Sequence, residues 1–310
     1  MDKIEEAADI IAQSEKIVVF TGAGMSTESG IPDFRSPGGI WDQFDPNELT
    51  YQKFLATQAS REKYWERQKL LWPLISKAEP NAGHRAIDEL HRMGKLDCII
   101  TQDGDSLHQK SGIPDDMVIE LHGTWTRALC LECGGRYPMD DVFVRLEAGE
   151  KVPLCEKCGG IMKPDVIQFG QQMPEREVTE AQRRATGCDL LMSCGSSLVV
   201  YPAAQMPLMA KEHGAKLVII NLMPTSHDHY ADVVINEKLG NGMSPSVCLY
   251  FPARQHADRT GAGESVVIST VRGNLLRHKT FPFDRNNRLR PGGTRFYSGS
   301  ICLFQIHFFR

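Results

Sequence analysis

IVVFTGAGMSTESGIPDFR, at residues 17–35, joins a short aliphatic run to a glycine-rich turn. The run at residues 17–20 has the composition of a strand that is buried on both faces of a parallel sheet. A glycine-rich turn that leaves such a strand allows backbone N–H groups to approach a diphosphate. Here Gly22 and Gly24 lack the later glycine of the dehydrogenase fingerprint. The turn by itself therefore leaves open a plain loop or a nucleotide site.

Similar aliphatic runs recur along the chain and alternate with helical patterns. They lie at residues 98–100, 118–121, 190–192, 217–220 and 233–235. An apolar face formed by Ile4, Ala8 and Ile11 predicts a helix before the first run. Strand–helix alternation of this kind predicts an α/β fold with a Rossmann-like, doubly wound parallel sheet.

Two helices have recognisable ends. Asn81 can cap a helix that runs to Met93, with Gly94 directly after it. Another helix is predicted over residues 202–213, and Gly214 ends it.

Two stretches interrupt the alternation and predict a smaller second lobe. Residues 41–80 are helical in pattern and rich in aromatic side chains, and residues 124–163 contain two cysteine pairs. We expect a zinc-ribbon plus helical lobe from these insertions. The larger lobe would then consist of residues 1–40, 81–123 and 164–240, and residues 241–310 would form a basic C-terminal extension.

The two cysteine pairs have the spacing of a metal site. Cys130 with Cys133, and Cys155 with Cys158, form two C-x₂-C knuckles, and a glycine pair follows each. Four thiolates suit tetrahedral Zn²⁺ and leave no open position for water, so the predicted zinc is structural. Of the remaining cysteines, Cys98, Cys188 and Cys194 fall in or beside predicted strands, where we expect small core residues.

Composition and charge restrict the class of protein. No apolar run approaches the roughly 20 residues that cross a bilayer, and the acidic N-terminus is not a secretory or transit signal, so we expect a cytoplasmic protein. The net charge of −4 hides an asymmetry, because residues 241–310 carry ten Lys or Arg and three Asp or Glu. A basic tail can bind acidic partners, but a solvated, poorly ordered extension is the simpler expectation.

The residues from 22 to 41 resemble the signature of the sirtuin family, G-A-G-x-S-x-x-S-G-I-P-D-F-R followed by Gly39 and Trp41. Further motifs of that family follow in order: PNAGH at 80–84, TQxxDxLH at 101–108, LHG at 121–123, FG at 169–170, GSSLxVxP at 195–202 and IIN at 219–221. The similarity extends from residue 1 to about residue 240. The sequences at 64–73 and 163–166 are most similar to the class II branch.

The resemblance implies an NAD⁺-dependent protein lysine deacylase that produces nicotinamide, O-acyl-ADP-ribose and free lysine. It implies NAD⁺ as co-substrate, one structural Zn²⁺ per chain, and acylated lysine on proteins or peptides as the partner; neither a membrane nor a nucleic acid is expected. His122 matches the catalytic base, and histidine is the side chain whose unperturbed pKa lies near neutrality. The positions that match cofactor contacts are Gly22, Ala23, Gly24, Thr27, Asp33, Phe34, Arg35, Gln102, Asp103, Asp105, Gly195, Ser196, Ser197 and Asn221. Phe169, Gly170 and Val200 match the segments that hold an extended substrate peptide.

Tyr64 and Arg67 form a Y-x-x-R pair, which in one sirtuin class binds anionic acyl groups. The interval from Arg67 to Pro80 is longer than in that class, and we interpret the pair as an ordinary tyrosine and arginine on a helix surface.

One motif departs from the family. The family's T-Q-N-[I/V]-D is Thr101-Gln102-Asp103-Gly104-Asp105 here. An ionised aspartate cannot donate a hydrogen bond as asparagine does, and glycine adds backbone freedom, so we expect slower turnover. Two alternatives to a deacylase therefore stay open: a protein mono-ADP-ribosyltransferase, and an impaired module that binds NAD or ADP-ribose.

Overall fold

The computed structural model describes residues 3–243 and three later strand segments, at residues 265–272, 275–282 and 294–298. Residues 3–243 contain two sheets. Their strands are β1 (Ile17–Thr21), β2 (Leu96–Thr101), β3 (Val118–Glu120), β4 (Gly123–Cys130), β5 (Arg136–Pro138), β6 (Met162–Val166), β7 (Leu190–Cys194), β8 (Lys216–Ile220) and β9 (Val233–Ile235).

The helices fall between these strands. They are α1 (Lys3–Gln13), α2 (Ile40–Gln43), α3 (Tyr51–Ala56), α4 (Gln58–Lys77), α5 (Ala82–Arg92), α6 (Leu107–Lys110), α7 (Met139–Glu147), α8 (Glu175–Thr186), α9 (Gln205–Glu212) and α10 (Leu239–Gly242). Short 3₁₀ helices lie at Ala23–Ser29, Pro46–Leu49, Asp115–Met117 and Asp228–Tyr230. No helix in the described part of the chain is both long enough and apolar enough to cross a membrane.

The larger sheet has six strands in the order β3-β2-β1-β7-β8-β9, and every neighbouring pair is parallel. Ile17 and Val19 face one side, where they pack with α1 and α5, and Val18 and Phe20 face the other side with α8 and α9. Helices therefore cover both faces, as predicted for a doubly wound sheet. The chain reverses its winding between β1 and β7, and ligands of doubly wound sheets bind at the carboxyl edge beside such a switch point.

The smaller sheet is antiparallel, in the order β5-β4-β6. Its apolar face packs on α4 and α7 in a cluster that includes Trp65, Met139, Val142 and Met162. The interrupting stretches predicted from the sequence therefore pack on each other. Cys130 and Cys155 belong to the same cluster, so the cysteine knuckles lie at its edge.

All six aliphatic runs are strands of the larger sheet. Asn81 caps α5 as predicted: its Oδ1 accepts hydrogen bonds from the N–H groups of Gly83 and His84, and Met93 ends the helix. The helix predicted over residues 202–213 begins later, at Gln205, because residues 201–204 form turns.

The C-terminal extension contains elements that the sequence did not reveal. Three strands, β10 (Ser265–Arg272), β11 (Leu275–Pro282) and β12 (Thr294–Ser298), form an antiparallel sheet in that order. The sequence pattern did not predict these strands. The alternation of apolar and polar residues along β10 is interrupted at Val266-Val267-Ile268, so the period-2 signal of a strand was weak. Cys248 and Cys302 lie outside the described residues.

Candidate active site

A cavity of about 1090 Å³ opens at the carboxyl edge of the larger sheet. Its lining includes all the predicted cofactor positions, which follow β1, β2, β7 and β8 in four separate parts of the chain. His122, Phe169 and Val200 line it as well, whereas Gly170 does not. Parallel strands end at a common edge, which explains why residues so far apart in sequence converge there.

The glycine-rich turn after β1 packs directly on the turn after β7. The Gly24 N–H donates to the Gly195 carbonyl at 2.9 Å, and the Gly22 N–H donates to the Cys194 carbonyl at 3.3 Å. Gly195 has a φ of 65°, and a Cβ there would lie 2.3 Å from the Met25 nitrogen. These two N–H groups are occupied within the protein. The glycines therefore permit close packing of the loops rather than supplying these N–H groups to a phosphate.

The rest of the loop after β1 is organised by its own side chains. Asp33 accepts hydrogen bonds from the backbone N–H groups of Arg35, at 2.9 Å, and Ser36, at 2.7 Å. The Arg35 guanidinium lies 4.2 Å from the centre of the Trp41 ring, and Phe34 contacts the same ring edge-on. Arg35 is exposed, so its charge is available at the mouth of the cavity.

Gln102 connects three parts of the site. Its Nε2 donates to the Ser196 hydroxyl at 2.8 Å and to the Thr21 carbonyl at 3.2 Å. The backbone carbonyl oxygen of Gln102 lies 3.3 Å from His122 Nδ1. Since a carbonyl can only accept, the His122 proton is on Nδ1 and the Nε2 lone pair is free to accept another.

Burial favours the neutral form of His122. The imidazole is half-buried, and desolvation lowers its pKa, although the hydrogen bond to Gln102 opposes this shift. The His122 carbonyl accepts a hydrogen bond from the Ile167 N–H at 2.8 Å, which fixes the segment before Phe169 beside the histidine. A neutral, oriented imidazole that lines a cavity is the arrangement a general base requires.

Asp105 is buried and has partners for both oxygens. Oδ2 accepts from the Ser26 hydroxyl at 2.6 Å, and Oδ1 accepts from the Leu107 N–H at 2.9 Å. Desolvation nevertheless raises its pKa. Asn221, beyond β8, donates to the Met223 carbonyl at 2.7 Å, which holds the amide at the cavity rim.

Asp103 and Gly104, the two residues that depart from the family motif, also line the cavity. A Cβ on Gly104 would lie 2.9 Å from the Gly123 carbonyl oxygen and 3.0 Å from Trp125 Cδ1. The Gly104 carbonyl accepts hydrogen bonds from the Trp125 N–H, at 2.7 Å, and the Thr124 hydroxyl, at 3.2 Å. The expectation that Gly104 loosens this loop is therefore wrong, because the close approach of β4 requires a glycine and its carbonyl is held twice.

Tyr64 and Arg67 are not surface residues, which corrects the interpretation from the sequence. Tyr64 is buried and packs edge-on against Phe54. Only 11% of the Arg67 side chain is exposed, and its guanidinium donates to the Glu48 carbonyl at 3.0 Å and lies 3.5 Å from the Glu48 carboxylate. Both Tyr64 and Arg67 line the cavity.

The four predicted metal ligands converge. Their Sγ atoms all lie within 4.8 Å of one another, with 3.5 Å between Cys130 and Cys158 and 3.6 Å between Cys133 and Cys155. Tetrahedral Zn–S bonds of about 2.3 Å place sulfurs about 3.8 Å apart, so the cluster fits Zn²⁺. In each knuckle the N–H four residues after the first cysteine donates to the carbonyl of that cysteine: Gly134 donates to Cys130, and Gly159 donates to Cys155.

Several cavity residues were not predicted. They are Trp125 on β4, Met173, and the segment Glu237, Lys238 and Leu239 after β9. The position of Glu237, Lys238 and Leu239 could have been predicted from the sequence, because residues that follow a parallel strand lie at the carboxyl edge of the sheet. Trp125 had none, since its position depends on the close approach of β4 to Gly104.

A doubly wound parallel sheet with a cavity across its switch point is typical of a nucleotide-binding α/β protein. The Sir2 family model matches residues 22–202, and the chain belongs to that family. NAD-dependent protein deacetylase 1 of Bradyrhizobium diazoefficiens is 46% identical over 244 residues, which cover 79% of this chain and 95% of the relative. NAD-dependent protein deacylase 2 of Archaeoglobus fulgidus is 43% identical over 240 residues, 77% of this chain and 92% of the relative.

Solved structures agree with this assignment. One from a study of the mechanism and regulation of Sir2 enzymes has a TM-score of 0.72 at 43% identity and covers 80% of this chain and 96% of its own. A Sir2 complex with a p53 peptide and NAD⁺ has a TM-score of 0.71 at 35% identity, and the match covers 78% of this chain and 96% of that one. The class II branch stays a prediction.

Proposed function

We propose that this protein is an NAD⁺-dependent protein lysine deacylase. The observation that carries the proposal is His122, a neutral imidazole oriented through Nδ1 and placed in the cavity that the loops after β1, β2, β7 and β8 enclose. Relatives that the chain matches over nearly their full length are NAD-dependent protein deacetylases and deacylases.

The cavity residues fit NAD⁺ in volume and polarity. The crevice lies where doubly wound sheets bind dinucleotides, and its lining supplies hydroxyls, amides and the exposed guanidinium of Arg35. Bound there, NAD⁺ would supply the ribose that accepts the acyl group and nicotinamide as the leaving group. Ser196, Ser197 and Asn221 would hold the adenosine half, and Gln102, Asp103 and Asp105 the nicotinamide half.

The residues of the chain have separate tasks in this proposal. His122 Nε2 would accept a proton from a ribose hydroxyl, while Gln102 keeps Nδ1 protonated and the ring oriented. Phe169 and Val200 would contact the acylated lysine and its flanking backbone from opposite segments of the cavity wall. The four cysteines would hold one Zn²⁺ that stabilises the smaller sheet and takes no part in the reaction.

We further propose that residues 1–240 form the catalytic domain, with the larger lobe at 1–40, 81–123 and 164–240 and the smaller lobe at 41–80 and 124–163. The parallel sheet and the antiparallel sheet, each with its own apolar cluster, support this division. Residues 241–310 would then be an extension to it.

The test is incubation of the protein with NAD⁺ and lysine peptides that carry different acyl groups, followed by mass spectrometry. We expect free lysine peptide, nicotinamide and O-acyl-ADP-ribose in equal amounts. ADP-ribose attached to protein, with no loss of acyl groups, would instead identify a transferase. NAD⁺ binding without any product would identify a binding module, and either result would reject the proposal.

A further inference from the structure

Asp103 has a buried oxygen without a partner. The residue is half-buried against the cavity, and its Oδ2 atom is inaccessible and makes no hydrogen bond. Its backbone N–H donates to Thr101 Oγ1 at 2.9 Å, which fixes the residue but leaves Oδ2 unsatisfied. An ionised carboxylate in such a position costs several kcal/mol or more unless a cation or donors compensate it.

No such compensation is present in the described residues. Asp103 forms no ion pair there, and the nearest charged side chain acting on it is Asp105, a carboxyl of the same kind. The Thr101 hydroxyl is the single group that favours its ionised form. The other titratable groups that line the cavity are Glu28, Asp33, Arg35, Tyr64, Arg67, His122, Glu237 and Lys238.

Two of the cations that line the cavity, Arg35 and Arg67, form no ion pair with Asp103. Arg35 is exposed and stacks on Trp41, and Arg67 is paired with Glu48. Asp105 accepts hydrogen bonds at both oxygens, and these favour its ionised form, so it does not compensate a charge on Asp103. Burial, followed by the charge of Asp105, therefore raises the pKa of Asp103 well above its ordinary value.

We infer that Asp103 is a neutral carboxylic acid that donates a hydrogen bond from the O–H of its accessible oxygen, Oδ1, to an oxygen of the co-substrate in this cavity, while Oδ2 is the buried oxygen. A protonated carboxyl offers one donor and one acceptor on a planar group, as an asparagine amide does. Asp103 therefore keeps the donor that the family motif has at this position. The expectation that aspartate in place of asparagine removes a hydrogen-bond donor holds for an ionised Asp103 and not for a protonated one. The identity of the ligand rests on the proposed function, and the protonation state does not.

The protonation state is measured first, in the full-length protein without ligand. The carboxyl carbons of ¹³C-labelled aspartate are followed by NMR from pH 4 to pH 9, and Asp103→Asn identifies the signal of Asp103. We expect a signal that titrates far above the ordinary range of about 3.9. A signal of Asp103 that titrates near the ordinary aspartate pKa of about 3.9 would overturn the inference, whether or not the protein is a deacylase.

Thermal unfolding gives a second readout that does not depend on ligand. A carboxyl whose folded pKa is raised stays protonated in the folded state while the unfolded chain releases its proton, so stability falls as pH rises from about 4 to the folded pKa. The Asp103→Asn variant lacks this group. The melting temperature of Asp103→Asn minus that of the natural protein should therefore increase with pH across that interval. A difference independent of pH would contradict the neutral state.

The donor role is tested by NAD⁺ affinity, measured by calorimetry across the same pH range. Above the pKa of Asp103, we expect the Kd of the natural protein to rise by up to about tenfold per pH unit, because the donor form disappears. Asp103→Asn should remove this dependence, and Asp103→Leu should weaken binding at every pH. If NAD⁺ instead binds more tightly as Asp103 ionises, the residue is an anionic partner of the nicotinamide cation and the inference fails. A neutral Asp103 in a protein that does not bind NAD⁺ would reject the proposed function and the donor role together.

Discussion

His122 Nδ1 lies 3.3 Å from the carbonyl oxygen of Gln102, and this contact determines which ring nitrogen can act as a base. The same glutamine donates to Ser196 across the cavity, so the orientation of the histidine depends on the loop after β7 as well.

Replacement of His122 by alanine should lower deacylation by about 10²–10⁴-fold, the usual contribution of a general base. NAD⁺ binding and the melting temperature should change little, since the ring is half-buried and makes one side-chain hydrogen bond. Because burial lowers the pKa of His122, the acidic fall in kcat of the natural enzyme should lie below pH 6.5. Full turnover in the alanine variant would reject His122 as the base.

The fold was predictable from sequence because it depends on local patterns. Buried parallel strands are continuous aliphatic runs, and Asn81 marks the start of α5 by its own chemistry. The convergence of the site was predictable as well, since strand ends share an edge. The environment of individual residues was not. Burial of Tyr64, the pairing of Arg67 with Glu48, and the contact between Gly104 and Trp125 all depend on how separate elements approach.

The zinc cluster should be required for the stability of the smaller sheet. We expect the pure protein to contain about one Zn²⁺ per chain and Cys155→Ser to release it. Cys155 belongs to the apolar cluster with Trp65 and Met162, so its loss should also lower the melting temperature. Cys98→Ser is the matched control, because Cys98 is a buried strand cysteine whose raised pKa of about 12 reflects burial. Metal content is measured by atomic emission, and stoichiometric zinc after loss of two cluster cysteines would reject the site.

Acid should destabilise the protein through two buried histidines. The rings of His84 and His108 lie 5.0 Å apart and both are buried. Desolvation lowers the pKa of His84 to about 4 and that of His108 well below its ordinary value. Each group is neutral in the folded protein, while the unfolded chain binds protons below pH 6.5. Stability is therefore highest above pH 6.5 and falls as the pH drops towards 4.

For His84 alone, the lowered pKa corresponds to about 3 kcal/mol of folding free energy, which is lost in full once the pH is below the folded pKa of about 4. Urea unfolding at pH 7 and pH 5 measures the loss. His84→Gln should reduce the difference between the two pH values, whereas His213→Gln, at an exposed position, should not. Equal pH dependence in the two variants would exclude a contribution from His84.

The Glu48 carboxylate should limit the range of acyl groups that the cavity accepts. Arg67 lines the cavity but is paired with Glu48, so a negatively charged acyl chain has to compete for the guanidinium. We expect the natural enzyme to prefer uncharged acyl groups. Glu48→Gln should raise the ratio of desuccinylation to deacetylation by about tenfold, since 1.4 kcal/mol of released interaction is a factor of ten.

Lys53→Gln is the control, because Lys53 pairs with the other oxygen of Glu48, at 3.0 Å, and does not line the cavity. It should leave the ratio unchanged. A preference for succinyl-lysine in the natural protein would show that Arg67 is accessible despite Glu48.

Gly104 and Trp125 should behave as a coupled pair. A side chain at position 104 would meet both the Gly123 carbonyl and the Trp125 ring, so Gly104→Val forces β4 away from the loop. Overpacking of this kind costs about 1–3 kcal/mol. It should also weaken the hydrogen bond from the Trp125 N–H to the Gly104 carbonyl, which holds Asp103 and Asp105 in the cavity wall.

Trp125→Leu removes the contact with the ring but not the contact with the Gly123 backbone. We therefore expect the double variant to recover part, and not all, of the stability that Gly104→Val loses, with a coupling energy of about 0.5–3 kcal/mol between the two positions. The measurement is a double-mutant cycle by urea unfolding, with kcat on one acetyl-lysine peptide recorded in parallel. Additive losses would show that the tryptophan does not limit position 104. A gain in kcat for Gly104→Val alone would show that the glycine impairs the site, as the motif comparison first suggested.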